Sequence, residues 1–263
     1  MDLGLRGKVA LIAAASRGLG RAIAEELGAE GASLVMCARG KEALTEASEA
    51  VRAASGVDVL SVPADVSRAD DVTRLVRSAI ARFGRIDILV TNAGGPPSGT
   101  FESLGPEKWD DAVRLTLLST VNLCREALPG MRQRKWGRII NVTSIAVKRP
   151  IDGLMLSNSL RAGVTGFART LANEVAADGI TVNNILPGYT QTQRVESLAR
   201  AAAEQEGIPI DESLKRWTAE IPMRRLGEPR EFAALAAFLA SERASYITGT
   251  SIQVDGGWIR SLL

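Results

Sequence analysis

Short apolar runs rich in β-branched residues alternate along the chain with longer segments whose apolar residues recur every three or four positions. The apolar runs read KVALIAA (8–14), SLVMCA (33–38), VDVLSVPA (57–64), IDILVTNAG (86–94), GRIINVTS (137–144), ITVNNILPG (180–188) and TSIQVDGG (250–257). Runs of this kind, bounded by Gly and Pro, are typical of buried strands, whereas Val72, Leu75 and Val76 have the spacing of an amphipathic helix. The alternation predicts parallel strands joined by right-handed helical crossovers. We therefore expect one α/β domain over residues 1–263, a doubly wound Rossmann fold with a seven-stranded parallel sheet and helices on both faces.

One long segment departs from this alternation. Residues 190–228 lie between the sixth strand and the last helix, and Leu214, Trp217 and Ile221 have helical spacing within them. Ligands of open α/β sheets bind beyond the carboxyl ends of the strands, so an amphipathic insert at this position predicts a lid over a substrate pocket. A pair of helices packed on the surface explains the same pattern equally well.

Composition removes several chemistries. The chain has 263 residues, no His, two Cys and a formal net charge of +2. Without imidazole it has no Ser-His-Asp or Cys-His relay and no histidine general base. Cys37 and Cys124 have no paired spacing, so we expect two buried thiols, with neither a disulfide framework nor a metal site.

The charge pattern restricts the partners. The chain has 32 basic and 30 acidic residues spread along its length. It therefore has no basic patch of the kind that binds nucleic acid or an anionic membrane. No apolar run approaches the ~18 residues of a membrane span. We expect a cytoplasmic protein whose partners are a small-molecule substrate and further copies of itself.

The turn after the first strand has the composition of a phosphate-binding loop. It reads AAASRGLG over residues 13–20 and leads into a helix. Glycines at such a turn let the backbone approach a pyrophosphate, whose charge meets free amides at the helix N-terminus. The candidate contacts of the cofactor are therefore Ala14, Ser16, Arg17, Gly18, Leu19 and Gly20.

The end of the second strand indicates which dinucleotide is bound. An acid about 20 positions after the glycines would bind the ribose hydroxyls of NAD. Here the chain reads Cys37-Ala38-Arg39, with no acid before Glu42. Arg39 and Arg17 are suited to a 2′-phosphate, so NADP(H) is favoured over NAD(H); the alternative is two solvated arginines.

Several motifs in the right order resemble one family. AAASRGLG stands where that family has TGxxxGxG, Asp65-Val66 where an Asp commonly binds the adenine amino group, and Thr91-Asn92-Ala93-Gly94 where it has NNAG. GRIINVTS, ITVNNILPGYTQT and YITGTSIQVDGG match its later strands. The chain resembles a short-chain dehydrogenase/reductase of the branch that includes the 3-oxoacyl-carrier-protein reductases. The resemblance implies cofactor contacts at Asp65, Val66, Asn92, Ala93, Gly94, Arg161, Pro187, Gly188, Thr190 and Thr192.

The catalytic motif of this family is changed here. Members of the family use a Tyr as acid/base, a Lys four residues later, a Ser that orients the substrate oxygen and an Asn that supports a water relay. Ser144 matches the serine, whereas Ser157, Arg161 and Thr116 stand at the places of the Tyr, the Lys and the Asn. AGVTGF at 162–167 resembles the family's AGxxGF and fixes this register.

These changes affect proton transfer most. A serine hydroxyl is far less acidic than the phenol of the family's Tyr. A guanidinium in place of the Lys is still a cation that can bind the ribose hydroxyls, but it does not lose its proton. Lys148, four residues after Ser144, is a candidate acid if burial lowers its pKa. Tyr189, after Pro187-Gly188, is another. The catalytic candidates are Ser144, Ser157, Arg161, Thr116 and Lys148.

Three functions are consistent with this pattern. We favour an NADP(H)-dependent oxidoreductase that acts on a carbonyl/alcohol pair with a rebuilt proton relay. The alternatives are a catalytically silent dinucleotide-binding protein, serving as a sensor or assembly partner, and an enzyme of elimination or isomerisation in which Arg161 stabilises an oxyanion. The resemblance also implies a homodimer or homotetramer through helices at about 109–134 and 154–178.

Overall fold

Seven parallel strands form the centre of the molecule. The computed structural model describes residues 2–262. The strands are β1 (Val9–Ile12), β2 (Ser33–Ala38), β3 (Val59–Pro63), β4 (Ile88–Thr91), β5 (Gly137–Val142), β6 (Ile180–Pro187) and β7 (Ser251–Val254). They make one sheet in the order β3-β2-β1-β4-β5-β6-β7, and each neighbouring pair is parallel. The predicted fold class is confirmed.

Helices fill the connections between the strands. They are α1 (Gly18–Ala29), α2 (Lys41–Ser55), α3 (Ala69–Phe83), α4 (Pro106–Ala112), α5 (Ser119–Arg134), α6 (Met155–Val175), α7 (Gln193–Glu206), α8 (Ile210–Glu220) and α9 (Pro229–Ala240). One turn of π-helix, Val113–Leu118, joins α4 to α5. Within residues 2–262, no helix is both long enough and apolar enough to cross a bilayer.

The sheet has a hydrophobic layer on each face, because successive side chains of a strand point to opposite sides. In β1, Ile12 packs in the layer with α1, α2 and α9, whereas Leu11 packs in the layer with α3, α5 and α6. Cys37 and Cys124 are free thiols in the second layer, and burial raises the pKa of each to about 12. Both therefore stay protonated and unreactive at neutral pH.

The strand order reverses between β1 and β4. Because the chain runs from β1 outward to β3 and then returns to β4 on the other side, the carboxyl ends of β1 and β4 border a crevice of the kind that binds ligands. Buried side chains connect the strands next to this edge. Thr91 Oγ1 donates to Asn141 Oδ1 at 2.7 Å, and Asn141 Nδ2 donates to Asn184 Oδ1 at 3.0 Å.

The segment 190–228 contains two helices, α7 and α8. Its two ends meet, since Thr190 and Gly227 form an isolated parallel bridge. The helical content predicted for this segment is therefore found, and the segment leaves and rejoins the domain at one place.

Candidate active site

The loop between β1 and α1 leads into a helix whose first backbone N–H groups have no capping side chain. Arg17, the N-cap of α1, has an extended backbone and no capping side chain, and the first turn of the helix contains no acid. These features favour an anion at this N-terminus. Ser16, Gly18 and Leu19 are half-buried in the loop, and Gly20 is buried.

Ala14 has a backbone conformation that favours glycine. Its φ is +51°, in the left-handed region, at the position where the resembled family has the first Gly of its motif. This conformation costs a non-glycine residue roughly 1–2 kcal/mol because the Cβ crowds the following carbonyl. The Ala therefore adds backbone strain to the loop as well as one methyl group.

Arg17 and Arg39 are exposed beyond the neighbouring strands β1 and β2. Arg39 follows β2 directly. Arg17 Nη1 donates to Gln193 Oε1 at 2.7 Å and so connects the loop after β1 to the first turn of α7. Both cations lie on the edge of the crevice predicted for the adenosine half of the cofactor.

The ends of β3 and β4 supply the next group of predicted contacts. Asp65 Oδ1 accepts from Ser67 N at 3.0 Å and from Ser67 Oγ at 2.7 Å, while Val66 is buried. After β4, Asn92 and Ala93 are half-buried and Gly94 is exposed. A Cβ at Gly94 would meet no atom within 4 Å, so the face of this turn is open to a ligand.

Ser157 and Arg161 lie one turn apart on α6 and therefore on the same face of the helix. Ser157 is buried. Arg161 is half-buried, and its Nη1 donates to the carbonyl oxygens of Val142 at 2.9 Å and Thr143 at 2.8 Å, where β5 ends. Desolvation, followed by the like charge of Arg194, lowers the pKa of Arg161 to about 10. The guanidinium is still positively charged at neutral pH.

Arg161 borders a small cleft at the ends of β4 and β5. The cleft is lined by Thr91, Asn92, Ala93, Thr116, Thr120, Val142, Thr143, Arg161 and Val164. Thr116 belongs to the π-helical turn and is 5% exposed, yet its Oγ1 has no hydrogen-bond partner in the described chain. Turns of π-helix are frequent at functional sites, and a buried hydroxyl without a partner is rare. The predicted residues Thr116, Asn92 and Arg161 are thus brought together.

The remaining catalytic candidates differ in their surroundings. Ser144 is half-buried, and its Oγ accepts from Ala146 N at 3.1 Å as it caps a short 3-10 turn. Lys148 is exposed, so the burial that its predicted role as an acid requires is not found.

Tyr189 packs within an aromatic cluster. Its ring stacks on Trp217 of α8, with centroids 4.6 Å apart, and meets the edge of Trp258 at 5.6 Å. Burial, followed by the charge of Glu220, raises the pKa of Tyr189 to about 12. The phenol is therefore a weaker acid here than in water.

The turn after β6 places the start of α7 against the loop between β1 and α1. Pro187 and Gly188 are half-buried, Thr190 is buried, and Thr192 caps α7 by accepting from Val195 N at 3.4 Å. A Cβ at Gly18 would lie 3.6 Å from Thr192 Cγ2. The predicted residues at 14–20 and 187–192 therefore line one crevice.

Arg194 was not predicted, although it lies in the same crevice. Its Nη2 donates to the carbonyl oxygen of Pro96 at 2.8 Å, and a Cβ at Gly95 would lie 2.8 Å from its Nε. Desolvation lowers the pKa of Arg194. No local spacing marks this residue, because Gly95 and Arg194 meet only when α7 folds over the loop after β4.

Comparisons with known proteins identify the family. A family model described as enoyl-(acyl carrier protein) reductase matches residues 13–259. D-beta-hydroxybutyrate dehydrogenase from Cupriavidus necator is 37% identical over 262 residues, which cover 97% of this chain and 99% of the relative. The chain belongs to the short-chain dehydrogenase/reductase family.

Further members of this family are similar over nearly the whole chain. A 3-oxoacyl-(acyl-carrier-protein) reductase from Staphylococcus epidermidis is 34% identical over 250 residues, 95% of this chain and 98% of the relative. L-sorbose reductase from Gluconobacter frateurii, solved with NADPH and L-sorbose, has a TM-score of 0.95, 38% identity and full coverage of both chains. Dehydrogenase/reductase relatives thus share the fold from end to end.

Proposed function

We propose that the protein is an NADP(H)-dependent oxidoreductase that interconverts a carbonyl and an alcohol, with Ser157 and Arg161 at the positions of the family's Tyr and Lys. The observation that carries this proposal is the placement of Arg161, which holds a fixed positive charge at the end of β5, beside the cleft that contains Asn92 and Thr116. The relatives described above are dehydrogenases and reductases, and the sorbose reductase was solved with NADPH.

The residues of the crevice fit a dinucleotide phosphate. Free amides at the start of α1 suit the pyrophosphate, and the exposed Arg17 and Arg39 suit a 2′-phosphate. Asp65 and Val66 would hold the adenine end, whereas the open face at Gly94 and the turn Gly188–Thr192 would hold the nicotinamide end. When bound, the nicotinamide ring supplies or accepts a hydride.

In this proposal the polar side chains of the site orient the substrate and stabilise the charge that develops on it. They are poorly suited to donating a proton. The hydroxyls of Ser144 and Ser157 are suited to hydrogen-bond the carbonyl oxygen, and Arg161 is suited to stabilise negative charge that develops there. Neither serine is an effective acid, so water supplies the proton in this proposal. Loss of general acid catalysis costs typically ~10²–10⁴ in rate, whereas positioning of the reactants still contributes about 7–11 kcal/mol. We expect slow turnover.

The segment 190–228 acts as a lid in this proposal. Three contacts support this role: Thr192 against Gly18, the hydrogen bond from Arg17 to Gln193, and Arg194 against Pro96. All three join the start of α7 to loops of the crevice, so movement of α7 would open it. The exposed Leu118, at the junction of the π-helical turn with α5, suits the dimer interface expected from the resemblance.

The second candidate is a silent dinucleotide-binding protein. It is favoured by the joint replacement of the family's Tyr, Lys and Asn. The silent protein would bind the same cofactor as the oxidoreductase but would not catalyse a reaction.

Two measurements test the proposal. Fluorescence titration should show tighter binding of NADPH than of NADH, and absorbance at the nicotinamide band should then report slow oxidation of NADPH with a panel of ketones and 3-oxoacyl thioesters. Arg161→Met should abolish that turnover. Tight NADPH binding without turnover on any substrate would overturn the oxidoreductase proposal and support the silent protein; failure to bind either nucleotide would overturn both.

A further inference from the structure

A groove lies within the segment 190–228, between α7, α8 and the chain that leads back to the domain. Its volume is about 360 Å³, and it is lined by Gln191, Thr192, Gln193, Val195, Glu196, Leu214 and Leu226. Pockets that hold small-molecule ligands typically have volumes of roughly 300–1,000 Å³. None of these residues lines the cleft at the ends of β4 and β5, so this α7–α8 groove is a separate cavity.

The groove combines apolar and uncharged polar side chains. Val195, Leu214 and Leu226 are its apolar residues; Val195 is buried, whereas both leucines are half-buried and keep part of their surface free. Gln191 and Gln193 add exposed amide groups. Pockets of this composition hold an apolar group and orient it with a few polar contacts.

Glu196 is the only ionised side chain among the lining residues. It is exposed and lies 3.1 Å from Arg200, which does not line the groove. The lining therefore offers no cation to a carboxylate or a phosphate, and an anion placed there would lose hydration without gaining a partner. The part of a ligand that enters the groove is accordingly uncharged.

Two contacts connect the groove to the proposed active site. Thr192 lines the groove, and its Cγ2 lies 3.6 Å from the position of a Cβ at Gly18. Leu226 packs against an apolar cluster that contains Ile145, and Ile145 directly follows Ser144 in the chain. The groove thus borders both the loop after β1 and the turn that carries Ser144.

We infer that the α7–α8 groove binds the uncharged alkyl chain of the substrate; this rests on the proposed function, which places the reacting carbonyl beside Ser144. The substrate class is then an aliphatic ketone, or the corresponding secondary alcohol, with a chain of several carbons and no terminal charge. Leu214 and Leu226 are specificity-determining residues, because the apolar surface that they offer rewards chain length. Each methylene that is fully buried raises affinity about fourfold.

The test measures binding while no hydride can be transferred. Protein saturated with NADP⁺ is titrated by calorimetry with 2-butanone, 2-hexanone and 2-octanone, which differ only in chain length. Two analogues of 2-octanone are added: hexyl methyl ether, which lacks the carbonyl, and 7-oxooctanoate, which ends in a carboxylate. The same titrations are made with Leu214→Gln, with Leu214→Trp and with Leu128→Gln, the matched control at a half-buried leucine of α5.

We expect wild-type affinity to rise about two- to fourfold for each added methylene, since the leucines of the groove are only half-buried and cover the chain in part. The ketone 2-octanone should bind more tightly than both analogues, because the ether has no carbonyl to place beside Ser144 and the carboxylate meets no cation. Equal affinities for the three ketones would overturn the inference. Binding of the ether as tight as that of 2-octanone would assign the groove to a molecule other than the substrate, and equally tight binding of 7-oxooctanoate would contradict the uncharged chain; either result overturns it.

The variants separate the groove from the cofactor site. Leu214→Gln places a polar side chain in the apolar wall and should remove most of the gain with chain length, whereas Leu214→Trp should fill the groove and end that gain at a shorter chain. Leu128→Gln should leave the gain unchanged. A gain that both Leu214 variants retain in full would overturn the inference. So would a parallel loss of NADP⁺ affinity in these two variants, measured separately, because it would assign the groove to the cofactor.

Failure of the proposed function gives a different result. If the wild type does not bind NADP⁺, the oxidoreductase proposal fails, and the titrations are repeated with the protein alone. A gain with chain length that depends on Leu214 in that experiment would still support the groove as a site for alkyl chains, whereas its absence would overturn the groove as well.

Discussion

The carbonyl oxygen of Ala14 occupies the space that a Cβ atom on Gly20 would fill. Asn92 Nδ2 lies 2.9 Å from the same point. The loop after β1 and the turn after β4 therefore both pack against Gly20. The backbone at this point is thus tightly packed and leaves no room for a side chain at residue 20.

Gly20→Ala should lower stability and abolish nucleotide binding. The added methyl group must displace main-chain atoms, and overpacking of this kind typically costs ~1–3 kcal/mol. Gly40→Ala is the matched control because a Cβ at Gly40 meets no atom within 4 Å and its φ is −80°. Urea unfolding and NADPH titration of both variants are the measurements; equal behaviour of the two would contradict the close contact at Gly20.

Ala14→Gly should raise stability slightly. It removes a left-handed backbone strain of roughly 1–2 kcal/mol, which exceeds the ~0.5–1 kcal/mol that glycine loses through the entropy of the unfolded chain. Ala15→Gly, one residue away, has a buried side chain and no left-handed φ, so it should lower stability. Thermal unfolding of the pair should give opposite signs, and a lower melting temperature for Ala14→Gly would contradict the strain at that residue.

Arg39→Asp should narrow the preference for NADPH over NADH. Arg39 is exposed at the end of β2, where a carboxylate would repel a 2′-phosphate and accept hydrogen bonds from ribose hydroxyls. Arg77→Asp makes the same charge change on α3 and should leave the ratio of the two dissociation constants unchanged. A ratio that Arg39→Asp does not alter would refute the role given to this arginine.

The double variant Ser157→Tyr with Arg161→Lys should increase carbonyl reduction. It restores the acid and the activating amine of the family to adjacent turns of α6, and general acid catalysis contributes typically ~10²–10⁴ in rate. The two single variants are the controls, since each restores only half of the arrangement. If the crevice no longer positions a carbonyl beside the cofactor, steady-state rates of all three variants will stay at the wild-type level.

Glu231→Gln should remove a contribution to stability that depends on pH. A side-chain hydrogen bond from Arg225, followed by one from the backbone of Glu228, lowers the pKa of Glu231 from its usual 4.5 to about 2. A carboxyl whose pKa is lowered in the folded state stabilises it above the unfolded pKa, and this contribution disappears as pH falls from 4.5 towards 2. The wild type should therefore exceed the variant in urea stability at pH 7 and approach it near pH 2. A constant difference across this range would contradict the ion pair.

Much of the fold was accessible from the sequence. The seven apolar runs predicted all seven strands, with β2 correct to the residue, because the strands of a parallel sheet are buried on both faces and therefore carry continuous apolar sequence. The glycine-containing loop after β1 and the placement of Arg161 one helical turn after Ser157 could also be predicted from local motifs. Site residues that depend on contacts between distant segments did not follow.

Arg194 is the clearest example of such a residue. Its proximity to Gly95 depends on the path of the whole segment that precedes and follows α7, which no local pattern records. Similarly, the left-handed φ of Ala14 and the π-helical turn at Thr116 depart from what local propensity predicts. The exposure of Lys148 depends in the same way on how the loop after β5 is folded.

Trp258, in the segment after β7, contacts the residue before the segment 190–228 and the last residue of α8 within it. Its ring meets Tyr189, which leads into the lid, and its Nε1 donates to Glu220 Oε2 at 3.1 Å, where α8 ends. Movement of α8 away from the domain, as the proposed lid requires, would therefore break an aromatic contact and a hydrogen bond made by the C-terminal segment. If the segment 190–228 is the proposed lid, a fusion to the C-terminal segment should change the rate at which ligands enter and leave the crevice, so the C-terminal segment would control access to it.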